Sequence, residues 1–249
     1  MSTDLYKKAV EVSKKIGMSK EDIASYKPWY LTNLLTTTAL SQSSTEEEQQ
    51  RAAILGIDNY FLTSALINDK PIYELESYKY QTDMFDSFSP ELQAFNLEEA
   101  TELLLDEKTS NEGIDMFGEW LKYWQDGELE KFEKSYPKKE AHPEVTKEEQ
   151  ALLDEYNNKL LIVRDAEMTE KIEKILEGNE GKTYFIVVGS GHYVGSDGVI
   201  ANLKKRLCSR TNQINKPVGY NHKKDIKSKS FLYPFCLVYN MNGNDGNKL

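Results

Sequence analysis

The run Thr183-Tyr184-Phe185-Ile186-Val187-Val188 consists wholly of β-branched and aromatic residues, and it stops at a glycine. An unbroken apolar run of this length fits a strand covered on both faces. Helical patterns precede and follow it. Together these predict a helix-rich α/β fold, with a small, mostly parallel sheet and helices on both faces. The run passes straight into Gly189-Ser190-Gly191-His192. Ligands gather at the carboxyl ends of strands in such sheets, which makes His192 the first candidate site residue.

The rest of the chain reads mainly as helix. Leu5, Ala9, Val12 and Ile16 recur at helical spacing, and Gly17 offers a stop. Ser19 ahead of Glu21 and Asp22 suggests a second helix start, and Pro28 heads a third. Thr45 with three glutamates after it resembles a capped helix entrance. Gly56–Ala65 reads as a short helix with Asp58 near its N-terminus. Acidic helices punctuated by Gly113 and Gly127 fill 78–136, a loop runs from Tyr136 to Pro143, and a long helical pattern ends at Gly178.

Ile72, Tyr73 and Leu75 suggest a second short strand that ends at Glu76. If the two strands are parallel neighbours, Glu76 and His192 converge on one sheet edge, a carboxylate and an imidazole suited to metal or acid–base work. Blander readings stand beside this one. The Gly189–His192 turn admits three: a dinucleotide loop, a plain tight turn, or a turn that presents His192 as ligand or base. The first conflicts with Val194, which stands where a Gly-x-Gly-x-x-Gly loop needs glycine. Glu76 can equally be a solvent-facing strand end, and Asp58 only a helix cap. Arg164 with Asp165 can be a surface charge pair worth at most about 1 kcal/mol. Trp120 and Trp124, at i and i+4, suit a core better than a binding platform.

Charge narrows the partner classes. Lys and Arg number 31 against 41 Asp and Glu, a formal −10, which disfavours generic nucleic-acid binding. No stretch is apolar for the roughly 18 residues a membrane span needs, and the first residues lack a secretory signal pattern. The chain on its own therefore reads as cytoplasmic, or extracytoplasmic if a further segment precedes it. Cys208 and Cys236 cannot make a disulfide framework. The charge is uneven: residues 201–249 carry ten basic and two acidic side chains, and no Glu follows Glu180.

Four blocks, in order, resemble the TraB/GumN (PrgY, Tiki-like) family over about residues 29–206. They are Gly56–Leu62 followed by Lys70–Ser77 and Gln81; Trp124-Gln125-Asp126-Gly127-Glu128-Leu129; Arg164–Ile172; and Thr183–Arg206. The resemblance implies an EreA/ChaN-like α/β fold in which two Gly-x-x-His motifs face each other. In the Tiki branch these belong to a protease dependent on a divalent metal such as manganese or cobalt. It carries Gly189 and His192 over as the second motif, supported by Gly191, and Glu76 as the central acid. It makes Arg164 the helix arginine, with Asp58 and Asp165 in support. His192 and Glu76 would ligate the metal, and Arg164 would meet an anion or oxyanion. A peptide or protein is the implied substrate. Family members that dampen peptide-pheromone signalling imply an alternative, a non-enzymatic protein that sequesters a signalling peptide.

The sequence departs from this pattern in three places. Residues 1–28 match the stretch after the family's first Gly-x-x-His strand, which implies that the chain begins downstream of it and is incomplete or inactive as a peptidase. A sheet lacking that strand would expose an edge, which predicts self-association. Asp165 replaces the usual asparagine, an acceptor-only group for a donor and acceptor. Beyond Arg206 the family's last apolar strand is not found. Codons for Leu207–Gln213 can be chosen so that the frame one base later reads Tyr-Val-Val-Glu-Gln-Ile, a strand of the family's kind. The expected organisation is thus an α/β domain over 1–206 and a basic tail over 207–249, disordered or frame-shifted.

Overall fold

The structure, a computed structural model, describes residues 2–41, 45, 56–135, 145–178, 182–213 and 236–242. It is helix-rich and divides into two compact units. The first comprises residues 1–56, 76–122 and 137–159; the second comprises 57–75, 123–136 and 160–249.

In the first unit, α1 (Thr3–Lys15) starts where the Ser2 hydroxyl accepts from the Leu5 amide, and ends before Gly17 at φ 82°. Only glycine takes that conformation without strain, so the expected stop is where the chain stops. α2 spans Lys20–Ser25, and α3 (Pro28–Ser41) carries Pro28 at its first position, where the missing N–H costs nothing. α5 (Tyr78–Asp86), α6 (Pro90–Leu105), most of α7 (Glu107–Gln125) and α9 (Lys147–Asn157) complete this unit. Leu5, Ala9 and Val12 of α1 meet Ile23, Leu31, Leu35, Leu97 and Ala100 in a buried core. Gly113 lies inside α7, not at a break. A Cβ there would stand 3.0 Å from Leu103 Cδ2, so close helix packing explains it better than punctuation.

The second unit holds α4 (Ile57–Ile67), α8 (Leu129–Ser135), a π-helical turn at Asn158–Ile162 that enters it at Leu160, α10 (Val163–Glu177), β1 (Thr183–Gly189), a 3₁₀ turn (Ser190–His192), α11 (Val199–Gln213) and β2 (Cys236–Asn242). Gly127 (φ 71°) does break the chain between α7 and α8. Met168 and Ile172 of α10, Ile186 of β1, Tyr193, and Val199 and Leu203 of α11 form its core.

Two expectations change here. Residues 72–76 form no strand. Pro71 lacks a ladder donor, Ile72 and Tyr73 are exposed, and the bend at Leu75 and Glu76 leads into α5, whose Ser77 cap accepts from Tyr80 N. β1 is a strand as expected. Its neighbour, however, is β2, antiparallel, with Ile186 opposite Tyr239 and Gly189 opposite Cys236. Among the described residues the strands make this antiparallel pair and no parallel sheet. The apolar run of β1 satisfies either arrangement, because periodicity reports burial rather than the direction of the neighbour. The expectations at Thr45 and its following glutamates, and at the Tyr136–Pro143 loop, fall almost wholly outside the described residues.

Candidate functional site

The second unit brings two of the sequence-selected residues together. Asp165 stands in the first turn of α10, on the stripe that continues through Met168, Ile172 and Leu176 into the core. His192 ends the 3₁₀ turn after β1, where Tyr193 N donates to Ser190 O at 3.1 Å. His192 Nδ1 lies 2.6 Å from Asp165 Oδ1, with the two side chains 12% and 4% exposed. A carboxylate has no proton to give, so Nδ1 carries the hydrogen and donates. Burial strengthens this bond and would make either partner costly to leave alone. In its neutral form the ring then keeps its lone pair on Nε2, the atom able to accept a proton, hold a donor or ligate a cation.

The surroundings fix both partners. Asp165 is carried by a helix whose Thr169 hydroxyl donates to the Asp165 carbonyl at 2.5 Å. After His192 the chain turns through Gly195 (φ 86°) to Gly198. A Cβ on Gly198 would lie 2.4 Å from Val194 O, so no side chain fits there. Gly189, by contrast, sits at φ −54°, a conformation open to any residue. The glycine demand of this turn therefore lies downstream of His192, not before it.

Arg164 is nearly buried, and its Nη1 donates to Leu160 O at 3.0 Å, across the π-helical turn. Arg164 and Asp165 are thus not an exposed charge pair: each is buried, and Asp165 meets His192. Glu76 belongs to the first unit, half-buried at the bend before α5, where Gln81 Nε2 donates to it at 3.3 Å. The sheet edge expected to unite it with His192 does not form, since its strand does not. Asp58 is exposed in the first turn of α4, and Gly189 and Gly191 flank Ser190 at the end of β1.

Sequence reasoning did not foresee the Asp165–His192 pairing, although a signal existed. Positions 165, 168, 172 and 176 share one helix face, and an acid on an apolar stripe needs a buried partner. The same signal marks Glu173, 5% exposed, which accepts from Arg206 at 3.0 Å.

The model of the TraB/PrgY/gumN family matches residues 1–207. This chain belongs to the TraB/PrgY/gumN family. The match ends where the charge pattern changes. No curated protein and no solved structure matches the chain. Family membership agrees with the order of the four sequence blocks, and all four lie largely or wholly in the second unit. Among the described residues, no helix is long and apolar enough to cross a membrane.

Proposed function

We propose that this TraB/PrgY/gumN protein holds peptides at His192, with Asp165 orienting the ring so that Nε2 meets the ligand. The observation that carries the reading is the buried 2.6 Å contact between Nδ1 and the carboxylate. An imidazole held in one orientation and one tautomer is prepared for a specific partner. The peptide class comes from the family resemblance.

The competing reading is the metal-dependent peptidase, with manganese or cobalt on His192 and Glu76. A hard divalent ion favours several oxygen or imidazole donors. Among the described residues no group of three or more His, Cys, Asp or Glu could hold one. The described donor set does not fit a resident metal, which favours capture over turnover.

One experiment separates the two. A defined octapeptide library is titrated into the full chain with and without manganese or cobalt, and binding and cleavage are followed together. Capture predicts saturable binding without cleavage, weakened in His192→Ala. Metal-stimulated cleavage that disappears in His192→Ala would establish the peptidase instead. Self-association is a further part of the proposal. Phe185 on β1 is 51% exposed beside Phe61 of α4, whose neighbours Tyr60 and Leu62 are exposed as well. Light scattering that gives a monodisperse monomer would remove it.

A further inference from the structure

The first unit contains a cavity of about 750 Å³, within the range of pockets that hold small organic ligands. We propose that it binds an organic cation with an aromatic or aliphatic body. This inference is independent of the His192 reading and concerns the other unit.

Four rings of the lining form a run. Trp29 of α3 stacks on Phe85 of α5 at 5.1 Å and 13°; Phe85 meets Phe88 edge-on at 5.7 Å; Phe88 lies 6.1 Å from Tyr156 of α9. Trp29 is held in place, because its Nε1 donates to Asp86 at 2.7 Å while the other oxygen of Asp86 takes Lys27. Aromatic faces are electron-rich, and a cation over one is attracted to it.

Beside neutral Thr, Asn and Gln side chains, the lining carries acids. Glu98, Glu99 and Glu102 of α6 and Glu149 of α9 line the cavity, and the described lining includes no Lys or Arg. The cations nearby act from outside the lining. Lys8 of α1 meets Glu98 at 3.3 Å and Glu102 at 2.8 Å, and Lys159 stands 6.0 Å from the Phe88 ring centre. Glu149 accepts from the backbone N–H and the hydroxyl of Thr146, which hold its carboxyl below the usual value, so it stays ionised at neutral pH. Rings and carboxylates in one lining select a ligand that is apolar and positively charged, and disfavour anions.

The test uses the full chain and three probes of similar shape: naphthylmethylammonium, naphthylmethanol and naphthoate. Calorimetry should show saturable binding of the ammonium, about tenfold or more tighter than the alcohol, and none of the naphthoate. Thr36→Trp places a large side chain in the cavity and should abolish binding. Glu99→Gln with Glu149→Gln should bring the ammonium down to the level of the alcohol. Gln preserves the capping box at Thr146, so α9 keeps its start. Equal affinity for ammonium and alcohol, absence of saturable ammonium binding, or binding that survives both sets of substitutions would each overturn the proposal.

Discussion

Removing either partner of the buried Asp165–His192 pair should cost stability, and the two losses should differ. In Asp165→Ala the His192 N–H is left without its acceptor, at about 1–3 kcal/mol for a buried donor. In His192→Ala the carboxylate is left in a site where the side chain is 4% exposed. A buried ionised acceptor that loses a donor costs more than this, up to about 3–5 kcal/mol where nothing else compensates its charge. Neutralisation sets a ceiling on that loss. Protonating a carboxyl of ordinary pKa near 3.9 at pH 7 costs about 4 kcal/mol, and the protein can take that route instead. The expected order is therefore His192→Ala worse than Asp165→Ala, by roughly 1–2 kcal/mol. The double variant should cost less than the sum of the singles, because the bond between the two side chains is lost only once. Asp165→Asn keeps an oxygen acceptor and should cost under about 1.5 kcal/mol. Denaturant unfolding followed by circular dichroism measures all four. Additive losses, or a His192→Ala cost below about 1 kcal/mol, would show that the two side chains do not depend on each other.

Glu155 supplies a pH dependence. Burial opposes its charged form, but hydrogen bonds from Lys159 and Ser89 outweigh this and hold its carboxyl below the ordinary 4.5. The unfolded chain therefore binds the proton first. Its contribution is complete above pH 4.5 and is lost as the pH falls through the lower folded value. Acid unfolding of Glu155→Gln should show a shallower fall below that pH; an unchanged acid limb would remove the assignment. Gly198→Ala forces a Cβ to within 2.4 Å of Val194 O, and the backbone must shift. A loss of about 1–3 kcal/mol or more is expected, with a lowered Tm, and an unchanged Tm would contradict the packing described there. Thr146→Ala removes a capping box that the Thr146 and Glu149 side chains both complete. It should cost about 0.5–2 kcal/mol, read from the denaturation midpoint.

Local chemistry explains what was legible beforehand. The stop of α1 and the start of α3 rest on Gly17 and Pro28, where one residue's conformation decides the outcome. β1 was legible for a similar reason, since its residues suit little else. The parallel sheet was not, because strand direction depends on a partner far along the chain, and β2 lies in a segment that composition marked only as a basic tail. The strand at 72–76 failed for want of a neighbour: alternation at Ile72, Tyr73 and Leu75 describes a surface that nothing in those residues obliges another strand to cover. The site was half visible. His192 was drawn from the end of β1, but its partner came from 27 residues upstream on a helix. The acid on the apolar stripe of α10 was the available clue. Glu76 was chosen through a strand that does not form, so its link to His192 went with it.

The central claim is that His192, oriented by Asp165, is the group that meets the peptide. Nitrogen-15 NMR of the His192 ring during a peptide titration tests it most directly, because the two ring nitrogens are resolved separately. The account predicts a protonated Nδ1 in the free neutral ring and a saturable shift confined mainly to Nε2. Asp165→Asn should loosen the tautomer preference and weaken the binding. Peptide binding of unchanged affinity in His192→Ala, or a bound state that leaves both ring nitrogens unmoved, would contradict the account and place the ligand elsewhere on the protein.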